Sequence, residues 1–98
     1  MIRAAAPLAV LLALTVSTTA LGDSISPDRA RSLVARGEIL PLEEVLKRNE
    51  ANAGGRIIEV ELEAKRGGYV YEIKVLRPDG RYGELVIDAR TGALLGRE

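Results

Sequence analysis

The sequence predicts an α+β domain in which two short N-terminal helices pack on one face of a three- to four-stranded antiparallel meander sheet. Three observations predict it. Two proline-opened segments, from Ser26 and from Pro41, repeat apolar residues at helical spacing. Ile58 to Lys65 alternates apolar with charged residues without a break. Two turn signals, Gly67-Gly68 and Pro78-Asp79-Gly80, then separate runs of strand-forming residues. A bare sheet of this kind would expose its apolar face to water, so the amphipathic helices have to cover it.

The chain has 98 residues, enough for one globular domain at most. Its beginning reads as a secretory signal peptide. Arg3 gives a positive start, Ala4 to Leu14 is apolar apart from Pro7, and small and polar residues follow, with cleavage expected after Ala20 or Gly22. The apolar run is short for a bilayer span, which needs roughly 20 residues, so a retained anchor is the weaker alternative. A lipid anchor on cysteine is excluded because the chain has none. The expected organisation is therefore a signal peptide at 1–22, a leader and first helix at 23–34, and the α+β domain at 35–98, with a periplasmic or secreted destination.

Taking Arg3 from 14 basic residues and nothing from 14 acidic ones leaves a charge of −1. Signs are interspersed, which gives no electrostatic footprint for nucleic acid or anionic lipid. No disulfide can staple the fold. Residues 23–98 are close to the size at which one core only just outweighs chain entropy.

Asp23-Ser24-Ile25 reads as a short flexible leader. Ser26 is the expected N-cap, Pro27 the first helical residue, and Asp28 sits near the positive end of the dipole. Ala30, Leu33 and Val34 form the apolar stripe and Gly37 the stop. After Glu38-Ile39-Leu40, Pro41 opens a second helix. Glu43 and Glu44 stand in its first turn, Lys47 and Arg48 near its end, and Leu42, Val45 and Leu46 along its apolar side. Asn49 to Gly55 reads as a breaker segment between helix and sheet.

With the first turn centred on Gly67-Gly68, Ala64 pairs with Tyr71, Leu62 with Ile73 and Val60 with Val75. The second turn pairs Val75 with Gly83, Ile73 with Leu85 and Tyr71 with Ile87. Both turns agree on the same face of the middle strand. The expected core face is Ile58, Val60, Leu62, Ala64, Tyr69, Tyr71, Ile73, Val75, Leu85 and Ile87. A slip of one residue would turn glutamates inward, so the facing is strongly set. Asp88 to Gly92 reads as a further turn, and Ala93-Leu94-Leu95 as a short fourth strand.

Reactive chemistry is scarce. Histidine and cysteine are absent, so nucleophilic catalysis would need a Ser–Lys pair. Ser24, Ser26 and Ser32 are explained by the leader, a helix cap and a helix face, and Lys47, Lys65 and Lys74 by solvated surfaces. Neither glycine pair lies between a strand and a following helix, so neither cradles phosphate. The outer sheet face carries Glu59, Glu61 and Glu63, with Glu72 expected opposite Glu63. Ion pairs Glu61–Lys74 and Lys74–Glu84 fit a solvated charged face, and Glu63 with Glu72 could hold a hard cation weakly. A carboxylate hydrolase would need a cleft that such a small sheet hardly provides. No cofactor is expected. On the same outer face Val70, Leu76, Tyr82 and Val86 are apolar, with Leu76 opposite Tyr82 and Glu72 opposite Val86. They are the candidate partner-binding residues. Unpaired sheet edges are a second route to a partner.

Three stretches carry a family resemblance: Leu42-Glu43-Glu44-Val45-Leu46, then Gly55 to Glu63, then Tyr69 to Val75. Together with the ending Val86-Ile87-Asp88-Ala89-Arg90-Thr91-Gly92-Ala93-Leu94-Leu95, they resemble the PepSY domain over roughly Ala35 to Gly96. The resemblance implies helices packed on an antiparallel sheet and a non-catalytic role. Members occur in propeptides of thermolysin-type metalloproteases, in a spore germination protein and as small secreted or membrane-tethered proteins. It also implies inhibition or chaperoning of a protease, here in trans because no protease domain follows. The leading expectation is an exported module that binds an extracytoplasmic protein such as a protease or a sensor kinase's outer domain. The alternative is a ligand or divalent-cation binder using the acidic face.

Overall fold

The computed structural model describes residues 23–65 and 67–98. The expected signal peptide lies outside the described residues. Eight elements follow one another: β1 (Asp23–Ser24), α1 (Pro27–Ala35), α2 (Leu42–Arg48), α3 (Glu50–Ala53), β2 (Arg56–Lys65), β3 (Gly68–Leu76), β4 (Tyr82–Asp88) and β5 (Leu94–Arg97). The strands form one antiparallel sheet in the order β1-β2-β3-β4-β5. The class is the expected α+β, but with five strands and three helices in place of three to four strands and two helices.

The two main helices start and stop as their sequences dictate. The Ser26 hydroxyl accepts a hydrogen bond from the Arg29 amide at 3.2 Å, with Pro27 at the first helical position. At the other end Gly37 takes φ +74°, which lets its amide reach the Val34 carbonyl and that of Glu38 reach Leu33. This pair of bonds closes α1 as a Schellman motif. Leu33 from α1, Val45 from α2 and Ile39 from the connection between them are buried on the sheet's apolar side.

The two additional elements both correct a reading of polar sequence as loop. The leader is β1: Asp23 pairs with Ala64 and Ser24 with Glu63, and the Ile25 amide donates to the Leu62 carbonyl at 2.9 Å. The supposed breaker contains the helical turn α3. Asn49, instead of ending structure, is almost wholly buried. Its amide nitrogen donates to the carbonyls of Val45 at 2.9 Å and Gly92 at 3.0 Å, while its oxygen accepts from Asn52. A buried amide satisfied on both ends ties α2 to the turn before β5. Only at Gly54, in the left-handed region, does the helix end. Gly55 then passes so close to the Leu76 carbonyl that a Cβ there would lie 2.4 Å from its oxygen.

The first hairpin corrects the register by two residues. Lys65 pairs with Gly68, Ala64 with Tyr69, Leu62 with Tyr71 and Val60 with Ile73. Gly67 takes the positive φ that the loop requires, and Gly68 begins the strand. Because the side-chain period is two, this shift leaves every facing unchanged. A bulge between Ile57 and Glu59 then puts Ile57, instead of Ile58, in the row of Val75. Ile58 is accordingly exposed and leaves the expected core face. The second hairpin has the expected pairs throughout, Val75 with Gly83, Ile73 with Leu85 and Tyr71 with Ile87. Its loop is closed by Gly80 at φ +86°.

The core therefore runs through Leu62, Tyr71, Ile73, Val75, Leu85 and Ile87, roofed by Leu33, Ile39 and Val45. The Tyr71 hydroxyl donates to the Leu40 carbonyl at 2.8 Å. Burial pushes that phenol above its ordinary 10.0, with the charge of Glu43 adding to the effect.

Two substitutions test this packing. Ile73, 1% exposed, stands at the centre of the middle strand. Ile73→Asp should leave the chain unfolded by circular dichroism, because an unpaired buried carboxylate costs several kcal/mol, on the order of the whole stability of such a domain. Asn49→Ala should stay folded but lose about 1–3 kcal/mol in urea denaturation, since the Gly92 carbonyl loses its buried donor.

Candidate functional site

The face away from the helices is a grid of cross-strand rows fixed by the two hairpin registers. At the β3–β4 turn end Arg56, Leu76 and Tyr82 stand side by side. Next come Glu59, Lys74, Glu84 and Glu98, then Glu61, Glu72, Val86 and Gly96, then Ser24, Glu63, Val70 and Asp88. The expected apolar residues are thus split by charged rows. Leu76 and Tyr82 face each other as anticipated, and Tyr82 is 67% exposed. Val70 and Val86 lie at the opposite end, where they line a groove with Leu95, and Val70 is itself buried.

The two-residue shift also rearranges the ion pairs. Lys74 sits 3.7 Å from Glu59 instead of pairing with Glu61, and it keeps Glu84 as its neighbour on β4. Glu72 faces Glu61 instead of Glu63. The Lys65 ammonium is 3.6 Å from Glu72.

Glu63 is the unusual member of this face. It is only 5% exposed, hemmed in by Ser24 on one neighbouring strand and Val70 on the other. Its Oε1 is buried and has no hydrogen-bond partner among the described residues. Carboxylate oxygens of Glu61, Glu63 and Glu72 all lie within 4.8 Å of one another. The Ser24 hydroxyl donates to Glu61, holding it beside the other two. Burial raises the Glu63 carboxyl above its ordinary 4.5, and the neighbouring charges of Glu72 and Glu61 raise it further. Glu84 is raised in the same direction by burial and by Glu72 and Glu98, against the lowering influence of Lys74 and Lys65.

A second concavity, of about 490 Å³, opens where the helices meet the sheet. Leu46, Ala53, Ile57, Ile73 and Leu85 are among its walls. It went unanticipated because strict alternation places Ile58 inside, and only the bulge brings Ile57 there. The double isoleucine before the alternating run was the sole hint. At the other edge of the helical layer, the Asp88-to-Gly92 turn is a structural latch. Asp88 Oδ1 accepts from the amides of Arg90 and Thr91, Leu40 donates to the Ala89 carbonyl, and Arg48 donates to the Thr91 carbonyl.

The sequence profile described as "Peptidase propeptide and YPEB domain" matches residues 39–98. The chain belongs to the PepSY family. PepSY domains are non-catalytic propeptide or regulatory domains, associated with proteases and their control. The match begins at Ile39, so β1 and α1 lie outside it. Neither the curated proteins nor the solved structures give a significant match to the chain.

The electrostatics of Glu63 generate a prediction of unusual sign. In divalent-free buffer at neutral pH, Glu63→Gln should stabilise this PepSY domain. It removes a charge held against two others and supplies an amide that can donate to them. A gain of about 1 kcal/mol corresponds to a Tm increase of about 4–8 °C. A carboxyl raised above 4.5 binds its proton more readily when folded, so stability increases as pH falls from the raised value towards 4.5. The gap between the two proteins should therefore close as the pH is lowered through that window. Glu61, Glu72, Glu84 and Lys65 face the cluster in both proteins. Thermal denaturation across that range checks both signs.

Proposed function

We propose that this PepSY protein is an exported, non-catalytic module that binds an extracytoplasmic protein and regulates it by contact. A protease or the outer domain of a sensor is the kind of partner in view. The family association with protease propeptides and regulation supports the class of role. The charged start, apolar stretch and small-residue region before Asp23 support export.

The observation that carries the reading is the placement of exposed apolar side chains. Tyr82, 67% exposed, stands on the outer face at the β3–β4 turn end with Leu76 directly opposite it, while Leu95, 58% exposed, lines the separate groove with Val70 and Val86. Tyrosine offers a large, stiff contact surface with a polar tip, which is why it recurs at interface anchor points. Direct strand addition is less favoured there. β1 pairs only with Glu63 and Ala64, but the remaining outer edge of β2 carries the bulge and the charges of Arg56, Glu59 and Glu61. Bulges and charges both obstruct edge-to-edge pairing. Of the four candidate residues, Leu76 and Tyr82 lead the contact, because Tyr82 is the most exposed large apolar side chain among the described residues, and Val70 and Val86 line a separate groove.

A photo-cross-linker placed at position 82 in intact cells, read by mass spectrometry, should capture one protein repeatedly. The same probe at position 86 should not. Leu76→Asp should keep the circular dichroism spectrum of the parent and lose at least tenfold in affinity for that protein, since a buried interface anchor contributes roughly 2 kcal/mol or more. No captured protein, combined with turnover of a small molecule by the purified chain, would overturn the reading.

A further inference from the structure

We propose that Glu61, Glu63 and Glu72 form a binding site for a single divalent cation of the calcium type, at the end of the outer face away from Tyr82. The inference is independent of the partner reading, since it uses different rows of the sheet.

Three features of the cluster support it. The first is the orphaned oxygen. Glu63 Oε1 is removed from water, its residue being 5% exposed, and it accepts no hydrogen bond among the described residues. A buried acceptor without a donor is a costly arrangement, and a metal ion is one of the few species that satisfies it without moving the chain. The second is charge. Among the described residues the three carboxylates have one ammonium within 4.0 Å, that of Lys65, which reaches Glu72 at 3.6 Å. The residual charge of −2 is what a divalent ion neutralises. The third is spacing. Oxygens on opposite sides of a calcium ion are about 4.6–5.2 Å apart, whereas magnesium draws them to about 4.0–4.2 Å. The three oxygens lie within 4.8 Å of one another, close enough for one hard cation to reach all of them. The all-oxygen set also disfavours soft metals.

The strands position these groups. Glu61 and Glu63 point the same way from β2 because they are two residues apart, and Glu72 is the cross-strand neighbour of Glu61. Ser24 closes the open side and orients Glu61 through its hydroxyl. Water would complete a coordination number of six to eight, as hard cations require. With three carboxylates and Glu61 exposed, the expected dissociation constant is about 10⁻⁴–10⁻³ M, the range of extracellular calcium modules.

Calorimetric titration of the full chain with CaCl₂ at neutral pH and constant ionic strength tests this. One ion per chain should bind, magnesium should bind at least tenfold more weakly, and Tm should rise by about 5–10 °C at tenfold excess over Kd. Glu63→Gln should weaken calcium binding at least tenfold. Glu59→Gln removes the same charge from a neighbouring row and should leave it within twofold. Absence of saturable binding up to about 10 mM calcium, equal affinity for magnesium, or equal weakening by the two variants would each overturn the proposal. A Glu63 carboxyl carbon whose NMR shift shows it protonated in the presence of saturating calcium would do the same, because the three groups would then share a proton instead of a metal.

Discussion

The sheet and its helical cover are located by the pleat of β3, the central strand, paired along its length with β2 on one side and β4 on the other. Tyr71, Ile73 and Val75 point one way, and Val70, Glu72, Lys74 and Leu76 point the other. Each hairpin copies that division onto its neighbour, so the sheet becomes apolar on one side and largely acidic on the other. The apolar side cannot remain in water, and this is what recruits Leu33, Ile39 and Val45. The acidic side cannot be covered by the same helices, and it stays open to solvent. A single parity thus decides both how the chain folds and which side chains the open face displays.

Parity alone does not close so small a core. Without disulfides, the helical layer is fastened to the sheet by a few buried polar ties. Asn49 joins Val45 to Gly92, Tyr71 reaches Leu40, and Ala89 accepts from Leu40 while donating to Tyr69. These ties converge on the two ends of α2 and on the Asp88-to-Gly92 turn. That convergence gives the PepSY-like ending a physical meaning. Its Asp-Ala-x-Thr-Gly pattern supplies a side-chain cap, a residue small enough to be fully buried, and a glycine at positive φ against Arg48. The ending locks layers together.

The sequence disclosed what depends on period and little of what depends on exceptions to it. The second hairpin was legible to the residue because Pro78 and Gly80 admit only one loop geometry. The first was not, since two adjacent glycines permit either of two centres. The two-residue difference leaves the facing intact and shows only in the ion pairs, where Lys74 belongs to Glu59. The bulge at Ile57–Glu59 had no signature beyond a doubled isoleucine. Asn49 was misread because asparagine disfavours helix interiors in isolation, whereas here tertiary partners on Gly92 and Asn52 override that preference. β1 was misread because two polar residues carry no alternation at all. For the same reason the outer acids could be named beforehand, while the burial of Glu63 could not: it is produced by Ser24, from the strand that looked like a leader.

That burial changes what the acidic face means. Glutamates on a wet sheet are ordinary, and Glu59 beside Lys74 needs no further account. Glu63 differs because β1 takes it out of water without giving it a donor, in a domain with little stability to spare. A glutamine at this position would keep the shape and remove the repulsion, so the carboxylate is worse than its neutral isostere for folding alone. Local arrangements that oppose stability tend to coincide with a task, since that is where something other than folding sets the side chain. The strand responsible, β1, lies outside the stretch that matches the PepSY family. The matched stretch of this chain carries the acidic row, and the N-terminal strand outside it turns part of that row into an enclosed, negatively charged position. The exposed Tyr82 and the acidic cluster around Glu63 thus lie apart on one face, with the row of Glu59, Lys74 and Glu84 between them.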